Sequence, residues 1–239
     1  MGVTENATFC LRTDMTKIKI CGLTREQDVD AAVLAGADAI GFVMYGKSPR
    51  AVSIDRAAQL AKRLPPFVTP VLLFVNELEA NIHKACEAIP TALLQLHGDD
   101  DIETPEFCAS LKRPFMKAAR IPLSEESSEE ASFDLVKYAE RYADASAILL
   151  DTLVTGYGGG GKTFNWNAFN WSQLSTNVSL PLVLSGGLTP ANVIQGIALV
   201  KPWAVDVSSG VEIADVKGIK DPQKITNFIH AVRFADAAI

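Results

Sequence analysis

From Lys17 to the carboxyl end, short apolar and β-branched runs alternate with amphipathic stretches, and this alternation constrains the fold more than any other feature. The runs fall at Ile18–Cys21, Ala39–Val43, Val68–Val75, Ala92–Leu96, Phe115–Ala118, Ala147–Asp151, Leu182–Leu184 and Ala204–Val207. Most are continuously apolar, the signature of parallel strands buried on both faces. Between them lie helical stripes. Ala57, Leu60, Ala61 and Leu64 recur at helical spacing, as do Ile225, Phe228, Ile229 and Val232,. Thr24 with Gln27 predicts a capping box. Thr104-Pro105, Thr189-Pro190 and Asp221-Pro222 each place a capping side chain before a proline at the first helical position,. Eight strands alternating with eight helices is the count of an α/β (β/α)₈ TIM barrel in a single domain. An open doubly wound sheet shows the same alternation, usually with fewer strands.

Composition excludes several classes. The 239 residues are 48% hydrophobic and 21% charged, which fits a globular chain and not a disordered one,. The formal net charge of −6 gives no electrostatic reason to bind nucleic acid or a membrane surface,. Cys10, Cys21, Cys86 and Cys108 form no C-x-x-C pair, so neither a zinc ribbon nor a redox motif is read. With no signal peptide and no apolar run near membrane-spanning length, the expectation is a reduced, cytoplasmic protein.

In a parallel α/β fold the site is built from loops after the carboxyl ends of the strands. Ser185-Gly186-Gly187 follows the seventh run and Ser208-Ser209-Gly210 the eighth. Small residues let backbone amides approach an anion, and barrels often hold phosphate between these two loops. Either sequence alone reads as a tight turn; the pair reads as a phosphate site. Cys21 and Asp151 close the first and sixth runs. Alone, Cys21 reads as a small buried hydrophobe. Asp151 either caps the next loop or faces a pocket. Arg50, behind the rigid Ser48-Pro49, is a candidate anion contact. His97 reads as a turn or core histidine, since His83 and His230 are on helical patterns and offer it no metal-binding partner,. No metal is expected.

Gly156 to Thr163 reads G-Y-G-G-G-G-K-T and satisfies a P-loop pattern,. Four consecutive glycines satisfy glycine patterns cheaply, however. A P-loop should enter a helix at once, and Phe164-Asn165-Trp166-Asn167 has low helix propensity. The segment reads as a glycine-rich site loop with Lys162 at its edge.

Together these segments resemble the phosphoribosylanthranilate isomerase family. The resemblance lies in Lys17-Ile-Lys-Ile-Cys-Gly-Leu-Thr24, Gly41-Phe-Val with Ser48-Pro-Arg50, Gln95-Leu-His-Gly98 and Leu149-Leu-Asp151. It continues in Gly158 to Trp166, Leu184-Ser-Gly-Gly-Leu188 with Asn192, and Asp206-Val-Ser-Ser-Gly-Val-Glu212 with Lys220-Asp221. The resemblance implies a (β/α)₈ barrel over residues 17–239, preceded by residues 1–16 as an amino-terminal extension, disordered or otherwise. It implies an Amadori rearrangement of a phosphosugar in tryptophan biosynthesis, with no cofactor. Asp151 aligns with the family's general acid and Cys21 with its general base. Arg50 resembles the contact to the anthranilate carboxylate, and Gly186, Gly187, Ser208, Ser209 and Gly210 resemble the phosphate loops. A thiol base needs either a lowered pKa or a tolerance of the few per cent thiolate present near neutrality. A related sugar-phosphate isomerase of histidine biosynthesis shares the scaffold, but that family typically uses two aspartates, which Cys21 argues against. Gly160 and Asn165 depart from the family pattern; Asn165 should cap as well as the usual Asp.

Overall fold

A computed structural model describes residues 15–123, 133–153, 161 and 163–238. Its strands are β1 (Lys17–Cys21), β2 (Ala39–Val43), β3 (Thr69–Phe74), β4 (Leu93–Leu96), β5 (Phe115–Ile121), β6 (Ala147–Thr152), β7 (Leu182–Leu184) and β8 (Ala204–Val207). They pair in chain order, all parallel, and β8 closes on β1. The helices are α1 (Glu26–Ala35), α2 (Ile54–Ala61), α3 (Glu79–Ala88), α4 (Pro105–Ser110), α5 (Leu135–Arg141), α6 (Trp171–Asn177), α7 (Val193–Val200) and α8 (Pro222–Ala237). The chain is thus a (β/α)₈ barrel, and the open sheet is excluded. All eight expected strands are present; β5 runs on to Ile121, beyond the expected Ala118.

The period of two along each strand sorts side chains into two layers. One parity points outward. Ile18, Ile20, Ile40, Phe42, Leu72, Phe74, Leu94 and Leu96 pack against the helix ring. The other parity fills the barrel, with Val71, Met116, Ala118, Ala147, Leu149, Val183 and Ala204 making an apolar plug. Continuing that inward parity toward the strand ends brings Cys21 on β1, Gln95 on β4 and Asp151 on β6 to one mouth. The same alternation that builds the core therefore aims the chemistry.

The helix signals fare unevenly. Thr104 accepts from Phe107 N, and Asp221 accepts from Gln223 N and Lys224 N, so both cap as expected. Ile225, Phe228, Ile229 and Val232 are all buried under α8. The Thr24 box does not form: Arg25 is the N-cap of α1 without a side-chain bond, and Thr24 Oγ1 donates to Gly218 O instead. The tertiary partner outcompetes the local one. Thr189-Pro190 opens a turn, and α7 begins only after Asn192, whose Oδ1 accepts from Thr189 N.

Residues 1–14 lie outside the described residues. Thr16 is tied to α8, its N and Oγ1 both donating to Asp236 Oδ1. Among the described residues Cys21, Cys86 and Cys108 are free thiols, and no helix is long and apolar enough to cross a membrane.

Candidate active site

The loops at the carboxyl ends of the strands enclose a pocket. Its wall carries Cys21, Arg50, Asp151, Gly186, Gly187, Ser208 and Ser209, seven of the residues the sequence points to. Gly210 is not on that wall. It is in the 3₁₀ turn Ser209–Val211, packed so tightly behind the loop that a Cβ would fall 1.9 Å from Leu188 O. Its place is therefore at the seam between the seventh and eighth loops.

Cys21 is buried at the end of β1 beside Gly41, where a Cβ would come within 2.7 Å of the sulfur. One turn of the pleat below, Lys19 Nζ donates to Asp206 Oδ1 at 2.8 Å. Burial pushes the Cys21 thiol up from its ordinary value; Lys19 pulls it down and Asp206 pushes it up again, and the net direction is up,. Of the two courses open to a thiol base, the site as it stands does not take the first. Lys19 is itself held above its usual value: burial lowers it, but Asp206 and the thiol outweigh burial.

Asp151 does both things the sequence leaves open. Its Oδ1 accepts from Thr152 N at 2.8 Å, and its Oδ2 lies 3.0 Å from His97 Nε2 within the pocket. Gly186, at φ 76°, is required beside it, because a Cβ there would fall 2.9 Å from Asp151 Oδ1 and 2.5 Å from Thr152 Oγ1,.

Arg50 is no loose surface charge. Its Nε and Nη2 donate to Glu212 Oε1 and Oε2 at 2.7 and 2.9 Å, a bidentate clamp between the second and eighth loops,. Fully buried Lys220 donates to the same carboxylate at 3.1 Å and to Ser208 O at 2.9 Å. Burial holds Lys220 below its usual pKa, against the pull of Glu212.

His97, which the sequence presents as a structural histidine, is on the pocket wall together with Gln95 and Asp206. The loop carrying it is fixed from outside the barrel. Fully buried Lys117 of β5 donates to Gly98 O and Glu103 Oε2, and Glu103 also accepts from Gly98 N and Asn76 N. Sequence reasoning missed Lys19, Gln95, His97, Asp206, Glu212 and Lys220 as parts of the site. The first two and Asp206 were findable, being polar residues at inward parity in otherwise apolar strands.

The P-loop match lies largely outside the described residues, Lys162 and Gly160 included. The chain does not enter a helix directly after it: Asn165 caps a single 3₁₀ turn, Trp166–Ala168, by accepting from Asn167 N, and α6 starts only at Trp171. The helix amino terminus that a P-loop needs is absent there. The acidic, polar stretch Ser124–Glu130 of the sequence also lies outside the described residues.

The family described as N-(5′-phosphoribosyl)anthranilate (PRA) isomerase matches residues 18–231. A relative from Methylibium petroleiphilum, named N-(5′-phosphoribosyl)anthranilate isomerase, is 56% identical over 224 residues, covering 94% of this chain and 97% of its own. The solved phosphoribosyl anthranilate isomerase of Thermotoga maritima is 39% identical with a TM-score of 0.74, covering 92% of this chain and 100% of its own. Another solved structure, at 36% identity and a TM-score of 0.71 over the same shares, is a phosphoribosyl anthranilate isomerase in complex with reduced 1-(o-carboxyphenylamino)-1-deoxyribulose 5-phosphate. This chain, a barrel with a thiol and a carboxyl group at one mouth and matched over nearly its whole length, belongs to the N-(5′-phosphoribosyl)anthranilate isomerase family.

Proposed function

We propose that the protein converts N-(5-phosphoribosyl)anthranilate to 1-(2-carboxyphenylamino)-1-deoxyribulose 5-phosphate, in tryptophan biosynthesis, with Asp151 as general acid and Cys21 as general base. Asp151 gives its proton to the furanose ring oxygen, and the ring opens to a Schiff base. Cys21 thiolate removes the C2′ proton, and the enolamine formed tautomerises to the ketone. Arg50, held by Glu212, receives the anthranilate carboxylate. Backbone amides around Gly186, Gly187, Ser208 and Ser209 cradle the phosphate, with Gly210 keeping the two loops in contact. The steps use only proton transfers, so neither metal nor cofactor is required. A base that must remain a free thiol suits the reducing cytoplasm.

The observation that carries this reading is that Cys21 and Asp151, 130 positions apart in the chain, open into one pocket whose wall also bears both glycine-serine loops. The complex of the related enzyme with a reduced form of that product agrees with it. A positioned acid or base contributes about 10²–10⁴-fold. Cys21→Ala and Asp151→Ala should each lose about that much turnover while remaining folded by circular dichroism. Near-normal turnover in either folded variant contradicts the assigned role, and failure of the wild-type gene to rescue a tryptophan auxotroph contradicts the reaction.

A further inference from the structure

Two side chains of β4 and its loop stand in the pocket without a role in those proton transfers. Gln95 and His97 are both buried, and Gln95 Nε2 lies 3.1 Å from His97 Nδ1. In register, Gln95 is flanked by Leu73 of β3 and Met116 of β5. Stability alone would favour an apolar residue at such a position, because a buried amide is costly unless bonded. Gln95 Oε1 and His97 Nε2 indeed have no hydrogen-bond partner among the described residues. His97 Nε2 is nevertheless 3.0 Å from Asp151 Oδ2, close enough for charge to matter though not aligned for a hydrogen bond. Catalytic contacts commonly align only when substrate is bound.

We propose that Gln95 is a positioning residue that fixes His97 as its Nε2–H tautomer, so that His97 offers a donor to the carboxylate Asp151 becomes once its proton is given up. The inference rests on the reading of Asp151 as the acid. An amide nitrogen only donates, so Nδ1 must accept, and the single proton of the neutral ring then sits on Nε2. The amide could be turned over, with Oε1 accepting from Nδ1–H. That arrangement would leave an Nε2 lone pair beside a carboxylate oxygen 3.0 Å away, which is repulsive. Once Asp151 has given up its proton, the carboxylate therefore selects the first arrangement. As the acid discharges its proton to the sugar ring, Nε2–H stabilises the new negative charge without moving a proton of its own.

The test uses full-length protein with ¹⁵N-labelled histidine and long-range ¹H–¹⁵N correlation spectra. Wild-type His97 should show the Nε2–H pattern. Gln95→Leu should lose that preference and lower kcat by about 10–100-fold, the usual scale for a partner that orients a functional imidazole. Gln95→Glu, nearly isosteric and accepting only, should hold a proton on Nδ1 and give an imidazolium spectrum at neutral pH. Because Gln95 acts through His97, adding Gln95→Leu to His97→Ala should slow turnover no further. An Nδ1–H wild-type spectrum, a neutral ring in Gln95→Glu, an unchanged kcat in folded Gln95→Leu, or a full additional loss in the double variant each overturns the proposal. Turnover surviving in Asp151→Ala would overturn the acid assignment instead, and the wild-type spectrum separates the two failures.

Discussion

Cys21 sits where its own ionisation is opposed. Burial raises the thiol, and Lys19, the cation that does most to lower it, is already engaged with Asp206. Because the folded thiol titrates above its ordinary value of 9.0, the thiolate fraction should keep rising with pH through the neutral range. Alkylation at Cys21 by iodoacetamide, followed by mass spectrometry, should still be accelerating at about pH 10, where an ordinary thiol nears its plateau. Lys19→Met should slow it further at every pH. A plateau near neutrality would show that the site lowers the thiol after all. These neighbours are half legible in the sequence: strand parity makes Lys19 and Asp206 face the same way as Cys21. Their contact, however, depends on β8 closing on β1, which pairs Lys19 with Asp206 across 187 residues of chain. His97 is buried, as a core or turn histidine should be, but the carboxylate that stands opposite it comes from another strand and cannot be read from sequence.

At the level of the helices and strands, local chemistry decides a boundary only where nothing distant competes. Asp221 caps α8 with bonds to two backbone amides, and the apolar stripe behind it is fully buried. Asp221→Ala should cost about 1 kcal/mol of stability, within the usual range for a lost N-cap, read as a fall in the denaturation midpoint with an unchanged slope. Turnover should hardly change, since the cap is outside the pocket wall. Thr24 shows the opposite case. Its hydroxyl is drawn to Gly218 O in the loop before α8, so the expected box gives way to a tie between the first and eighth units. The strands are legible as a set because nearly all are apolar on both faces, but β5 carries Lys117 and continues past Ala118 through Arg120 to Ile121. Lys117 is satisfied there by Gly98 O and Glu103, an outward-facing network that no pattern of period two announces.

For the molecule entire, closure of the barrel concentrates charge between the second and eighth loops. Burial pushes the Glu212 carboxyl up, but the bonds and charges of Arg50 and Lys220 outweigh it and hold the group below its usual value. A depressed carboxyl stabilises the fold above its unfolded pKa of about 4.3, and that contribution is lost as pH falls through the folded value. Thermal stability should therefore decline on acidification from about pH 5 downward. Glu212→Gln should start roughly 3 kcal/mol less stable at neutral pH, because Arg50 and Lys220 are left buried with a neutral partner. Its melting temperature should then respond less to acid than that of the wild type. An equal or steeper acid slope in the variant would place the sensitivity elsewhere.

The sequence by itself narrowed the fold to a parallel α/β sheet, closed or open, because continuous apolar strands alternating with amphipathic helices bury both kinds of surface in that way; the pairing of β8 with β1 decided for the barrel. It also determined that Cys21, Asp151 and the two glycine-serine turns stand at strand ends, since strand period and length are local properties. Only the tertiary structure decided which of those ends face one another and what each side chain meets there. The Arg50–Glu212–Lys220 cluster, the Lys19–Asp206 pair and the Gln95–His97–Asp151 line all join different strands or loops. The energies that shift a titration or fix a tautomer fall off over a few ångströms. They therefore belong to distances that exist only once the ring of strands has closed.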